Sequence, residues 1–520
     1  MSALETRAVR FIGPSAASPR FVAPPVLAWS AVELATHFRV RVADRDRVLW
    51  TGTTSEPRID LAPAWPKVAF GSVDVLVQGF DHEDTEVCVR GHRRFWRVPG
   101  FDGVRPEPAD WSGCIRRAVG YLLGAARDEV RPYENGDPRS AWSSYEDSVT
   151  GCRGPLAYPA LHHPSFIFAL LGFVDRFPTD PLAAEAERQA GAYGRWLLEH
   201  HLPTDWRCGG FTPSTVSDGQ FGGAIEGDSI TLFRAARAAE AMLRLARDTG
   251  DRRYVERAKH IATVLVELQN DDGSWPYRVD PRTGEMTESY TSAAITPIRL
   301  LAMLERLDDS TAVEASKWRE TRGRAEAWLL AGPIRDCRWE GMYEDIRSAP
   351  AWTNLQNWDT NETIRYLLND DCEIPNRVEH AQRLNAFIED QFVIWAAEES
   401  PVAVRCATPS VIEQYHCYHP MEVHTGNWLL SLLALHQATG EEHYLAKGIA
   451  AANSIAAGQQ SQGALSTWGF DSRFDTPLIT MNWPGCNAAA VSALLHWQAY
   501  HAGLGTTGEN REFRLGPWGV

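Results

Sequence analysis

Thr249-Gly250-Asp251-Arg252-Arg253-Tyr254 and Thr439-Gly440-Glu441-Glu442-His443-Tyr444 resemble one another position by position, and Gln269 and Gln459 follow them at the same offset, 190 residues. Helical segments around these stretches alternate between two characters. Ala183 to His200, Arg253 to Gln269, Ala312 to Leu330, Val378 to Trp395 and Tyr444 to Gln459 are amphipathic and charged at helical spacing. The other class is uniformly apolar and small, and begins near Ser165, Ser229, Thr291, Thr360, Thr425 and Cys486, recurring every 61 to 69 residues. A period of that size, each unit holding one exposed and one buried helix, is a helical-hairpin repeat, and 190 residues is about three such units.

Six buried and six amphipathic helices predict a mainly α protein built as a closed (α/α)6 toroid. An open array would need polar terminal caps, whereas Cys486 to Tyr500 still reads as buried. The toroid is expected over residues 106–505, the first amphipathic helix beginning near Trp111, with a tail at 506–520. Residues 1–105 read differently. His37 to Val42, Val73 to Val77 and Glu86 to Arg90 alternate as short strands, predicting a small β-sandwich similar to fibronectin type III domains.

The 520 residues exceed the usual size of one core. A net charge of −16 argues against nucleic acid or an anionic membrane as the main partner. The N-terminus lacks the apolar segment of a signal peptide and no apolar run reaches membrane length, so the expected location is cytoplasmic. Nine scattered cysteines without CxxC spacing, and the lack of HxH or HExxH, give no metal site and no cofactor. Twenty Trp residues suit a protein that handles flat, hydroxylated ligands.

In a toroid the inner helices run parallel, so the stretches before them gather at one mouth. Ser410-Val411-Ile412-Glu413-Gln414-Tyr415-His416-Cys417-Tyr418-His419-Pro420-Met421-Glu422-Val423-His424-Thr425-Gly426-Asn427-Trp428 is the richest in polar and aromatic groups. It lacks strand or helix periodicity and reads as a loop, with Thr425 capping the helix that follows. Glu413 stands well before that helix, where capping does not explain it, and is the leading catalytic candidate. Its partner carboxylate is one of Asp359, Glu362, Glu226 and Asp228; Asp228 and Asp359 can equally serve as helix caps and Glu362 as part of a capping arrangement. His162, His163, Tyr290, Trp358, Tyr415, His416, His424, Trp428 and Trp483 are the candidate substrate-binding residues. Inner-helix N-termini would also favour an anionic substituent there.

The helical-hairpin repeat with its leading β-region resembles the six-hairpin glycosidase superfamily, and also the toroidal polysaccharide lyases, over about residues 110–500. Gln269 to Pro276 and Gln459 to Trp468 look like the helix-to-loop turns of these barrels, and also like the QW repeats of triterpene cyclases, although no DxDD-type acid cluster accompanies them. The resemblance implies a glycoside hydrolase acting on short, uronic-acid-containing oligosaccharides, similar to β-glucuronidases, with paired carboxyl groups as acid and base. The alternative is β-elimination at a uronate, using Tyr415 or Tyr290 with His416 or His162 and supported by Arg153 or Arg405. Sugar epimerisation by paired histidines and non-catalytic sugar binding remain further readings.

Overall fold

Gly250 and Gly440, the matched glycines of the internal repeat, both adopt left-handed φ (72° and 71°) and close helices α4 (Leu232–Thr249) and α10 (Glu422–Thr439). The threonine before each glycine bonds back to its own helix, and its hydroxyl accepts the amide that opens the next one. Helices α5 (Arg252–Glu267) and α11 (Glu442–Ala457) then run back outside their partners. The computed structural model describes residues 8–45, 47–125, 146–147, 158–214, 216–217, 220–221, 229–289, 294–307, 310–341, 350–396, 407–467, 470–471, 476–477 and 481–504.

The remaining helices are α1 (Trp111–Ala125), α2 (Pro159–Arg176), α3 (Ala183–Glu199), α6 (Ile295–Glu305), α7 (Ala312–Leu329), α8 (Trp358–Leu367), α9 (Arg377–Gln391) and α12 (Pro484–Leu504). The even-numbered helices form an inner ring in which each packs on the next, and α12 packs on α2 to close it. Each odd-numbered helix backs an even one: α3 on α2, α5 on α4, α7 on α6, α9 on α8, α11 on α10, and α1 on α12. The fold is therefore a closed ring of six helical hairpins, one of which joins the first helix to the last. One hydrophobic cluster runs through all twelve helices found among the described residues. Uniformly apolar inner helices follow from this, since each is walled in by two neighbours and a backing helix.

The matched glutamines act alike. Gln269 Nε2 donates to Gly273 O and to Thr321 O of α7, both at 2.9 Å, and Gln459 Nε2 donates to Gly463 O and to Cys114 O of α1, also at 2.9 Å. Each glutamine ties the turn after one outer helix to the next outer helix. A side chain at Gly273 or Gly463 would strike the backbone of that neighbour.

Ahead of the ring, strands β1 (Phe11–Ile12), β3 (Val26–Trp29) and β6 (Arg58–Asp60) form one sheet, in the order β1-β3-β6. Strands β2 (Arg20–Phe21), β4 (His37–Asp44), β5 (Arg47–Thr54), β7 (Gly71–Phe80) and β8 (Gly91–Arg97) form another, in the order β2-β8-β7-β4-β5. Leu27 and Trp29 of the first sheet share a separate hydrophobic cluster with Val40, Val42, Val73, Val75 and Phe95 of the second. The expected strand at Glu86 to Arg90 is absent; that segment makes only isolated bridges, at Glu86 and Val89. Asp390 of α9 fastens this β-region to the ring, accepting the amides of Val22 (2.9 Å) and Ala23 (2.7 Å).

Candidate active site

Residues 410–421 do not form a loop. Ser410–Gln414 and Cys417–Met421 are two antiparallel strands, and the first also pairs with Val393–Ile394. Every residue of Ser410–Gln414 is buried, so neither face is exposed and no alternation marks the strand in the sequence. Thr425 does not cap α10, which starts three residues earlier with Met421 as its N-cap. The Thr425 hydroxyl instead donates to Met421 O and accepts the Val411 amide, pinning the hairpin to the helix.

The hairpin is also stapled to the start of α8. Asn357, the N-cap of α8, donates its backbone N–H (3.3 Å) and its side-chain Nδ2 (2.8 Å) to Glu413 O. Asp359 lies in the first turn of α8, where its Oδ2 accepts from Gln356 Nε2 at 2.6 Å while its own N–H donates to Gln356 Oε1. The Glu413 carboxylate is 3.7 Å from Nε2 of His424, in the first turn of α10. His424 stands edge-on to Trp358, with ring centroids 5.7 Å apart. Glu413, His424 and Trp358 thus form one run of contacts across two inner helices and one hairpin, and Asp359 follows Trp358 in the first turn of α8.

Below this rim, the first two or three turns of α2, α4, α8, α10 and α12 enclose a pit, lined among others by Arg237, Trp358, Glu362, Arg365, Asn427 and Ser492. Glu362 is not a cap. Its carboxylate lies 2.9 Å from Arg299 and 3.4 Å from Arg365. Burial pushes Glu362 up, but the Arg299, Arg365 and Arg237 guanidiniums outweigh this and hold it below the usual carboxylate range. A group kept ionised in this way suits charge balance better than proton donation. Arg299 also grips Glu240 bidentately (3.0 and 2.6 Å), and Arg237 reaches Glu240 at 3.0 Å.

Several candidates face elsewhere. Tyr415 is buried against the β-region, stacked on Phe392, its hydroxyl donating to Gln391 and to Pro14 O. Trp428 points outward, donating to Asn385 of α9 at 3.0 Å and packing on Trp395. His163 is packed between Tyr193 and Trp196 of α3, and burial drives it well below its ordinary value, with the His162 and His200 charges adding. His162, buried beside Gly485 and edge-on to Tyr158, is pushed down to about 3 by burial and Arg234, so it is a neutral wall. His416 is exposed at the tip of the hairpin. Trp483 is partly buried just before α12, its amide donating to Thr467 at 2.8 Å. Glu226, Asp228, Tyr290, Arg153 and Arg405 lie outside the described residues.

Two features of this end of the ring carry no role in the sequence reading. One is the set of guanidiniums on inner helices. Arg234 and Arg237 on α4, Arg299 on α6 and Arg365 on α8 stand out in the sequence only as charges inside helices otherwise buried all round, which is the signal that marks them. The other is Glu422, whose Oε1 accepts from Asn487 (2.9 Å) and Thr467 (3.2 Å) while Oε2 has no partner among the described residues. Burial pushes Glu422 up to about 8. It borders a cavity shared with Ser454, Ile455 and Gly458 from the outer side of the ring, so it faces away from the pit.

Among the described residues, no group of three or more His, Cys, Asp or Glu is placed to hold a metal, and no helix is long and apolar enough to cross a membrane. No family model and no curated protein matches the sequence. Solved structures do. A family 76 glycoside hydrolase from a bovine Bacteroides thetaiotaomicron strain superposes with a TM-score of 0.50 at 10% identity, covering 93% of this chain and 98% of its own. D-mannose isomerase superposes at 0.53 with 10% identity, covering 75% and 99%, and a sugar epimerase from a ruminal bacterium at 0.52 with 12%, covering 74% and 98%. At such identities the likeness shows the six-hairpin toroid fold.

Proposed function

We propose that this chain is a carbohydrate-active enzyme of the glycoside hydrolase type, with Glu413 and Asp359 as its carboxyl pair and an oligosaccharide as its substrate. The Asn357 staple carries the reading, because it fixes the strand bearing Glu413 beside the helix turn bearing Asp359 at the mouth. Glycoside hydrolysis needs one carboxyl group to protonate the leaving oxygen and another to activate water or attack the sugar. Asp359 already accepts a hydrogen bond from Gln356, which suits the base or nucleophile. Glu413, beside His424, suits the acid, with His424 returning its proton. Trp358 offers an apolar ring for a sugar face. The proteins of like fold are named for acting on sugars, which supports the substrate class.

The test is a panel of neutral and uronic-acid oligosaccharides, read by reducing-end release and by ultraviolet absorbance of unsaturated product. On the substrate found, Glu413→Gln and Asp359→Asn each lower kcat by about 10²–10⁴-fold, with melting temperature retained. Unchanged turnover in both variants refutes the assignment. One observation favours a second reading, sugar isomerisation or epimerisation: His424 is paired with Glu413, and its buried Nδ1 has no partner among the described residues. In that case the enzyme exchanges a sugar C–H with deuterium from solvent and releases no reducing end.

A further inference from the structure

The charges at the bottom of the pit do not balance. Among the described residues, its ion pairs join three guanidiniums, Arg237, Arg299 and Arg365, to two carboxylates, Glu240 and Glu362. Arg299 takes the best geometry from both acids, being 2% exposed and in contact with each. Among the described residues, Arg365 is left with one long ion-pair contact to Glu362, at 3.4 Å, and its buried Nε has no hydrogen-bond partner. Its side chain is only 8% exposed and lines the pit together with Arg237. Burying a cation without a full counter-charge is costly, and the cost shows in both residues. Burial pushes Arg365 down to about 9, with the Arg299 and Arg237 charges adding to it against Glu362, and Arg237 is lowered too.

We infer that the floor of the pit is a binding site for one oxyanion, the carboxylate or phosphate substituent of a sugar, held by Arg365 and Arg237. The space there, about 30 Å³ open to the centres of water molecules, has room for about two waters. That suits an anionic substituent and is too small for a whole ring, which would lie above it against Trp358. Ser165 and Ser492, which also line the pit, can donate to the same group. A planar guanidinium with a free N–H matches a carboxylate or phosphate better than it matches a neutral hydroxyl. This inference deepens the proposed sugar site by naming the charge of its substrate.

Calorimetric titration of the whole protein with glucuronate, glucose 6-phosphate and glucose tests it. One of the two anionic sugars is expected to bind at least about tenfold tighter than glucose, the advantage expected of one charged hydrogen bond. Which of the two binds tells carboxylate from phosphate. Arg365→Met removes the preference. Ser492→Asp does so independently, by placing a carboxylate in the pit without disturbing the arginines, and serves if the Arg365 variant does not fold. Equal binding of all three sugars, or a preference that survives Ser492→Asp, overturns the inference. Binding is read apart from turnover. Hydrolysis of neutral oligosaccharides with no anion preference refutes the anion site and leaves the hydrolase reading standing. Anion binding by a protein that cleaves no glycoside does the reverse.

Discussion

Replacing Glu422 by Gln removes a buried carboxyl group from the start of α10 while keeping its shape. Glu422 has an ordinary value of 4.5 and is pushed to about 8 by burial. The folded state therefore holds the proton more tightly than the unfolded state, and stability falls as pH rises from about 4.5 to about 8. The penalty is about 1 kcal/mol at pH 5 and about 3 kcal/mol at pH 7, a change of about 2–3 kcal/mol. For a toroid of about 400 residues, this corresponds to a shift of about 3 °C in melting temperature. The amide oxygen of the variant can still accept from Asn487 and Thr467, and its new N–H₂ meets the cavity bordered by Ser410, Thr425 and Ser454. Melting curves of parent and variant at pH 5 and pH 7 make the comparison. The variant is expected to gain about 3 °C on the parent between the two values. A difference that stays constant with pH would mean that Glu422 holds its proton no more tightly in the folded state than in the unfolded one, and would refute the reasoning.

Glu362→Gln leaves Arg299 and Arg365 short of a counter-charge and is expected to cost about 3–5 kcal/mol, read by denaturant or thermal unfolding. Gly448→Ala puts a methyl group into the ring of Trp497, where α11 meets α12, and should cost about 1–3 kcal/mol in the same assay. Tyr415→Phe keeps the stack on Phe392 but loses the bonds to Gln391 and Pro14 O. A loss of about 1–3 kcal/mol with unchanged kcat is expected, and a collapse of kcat would return Tyr415 to the chemistry.

The ring was legible because its signals are periodic. Inner helices are buried on all sides, outer ones on one face, and the Thr-Gly stops repeat with the same backbone bonds. Helix starts were less legible: α2 begins at Pro159 rather than near Ser165, and α8 at Trp358 rather than near Thr360, because the first turns carry polar or aromatic side chains for the mouth. The 410–421 hairpin was hidden for a related reason. Its strand is buried at every residue, packed against α10 and α11, so buried polar residues replace the alternation that would mark a strand. Glu413, His424 and Trp358 could be chosen by residue type and position. That Tyr415 and Trp428 turn away could not, because neighbouring residues on a strand or helix point in different directions and only the packing assigns them. The guanidinium excess was out of reach for another reason: it is a sum over three helices far apart in sequence.

The hairpin made of α12 and α1 joins helices whose synthesis is separated by about 360 residues. At the usual ribosomal pace, that interval lasts about 20–70 s. Until α12 emerges, the apolar face of α1 has no backing partner and the inner ring has an open side between α10 and α2. The nascent chain therefore carries an uncovered core for most of its translation, a target for chaperones that the other five hairpins, each local in sequence, do not present.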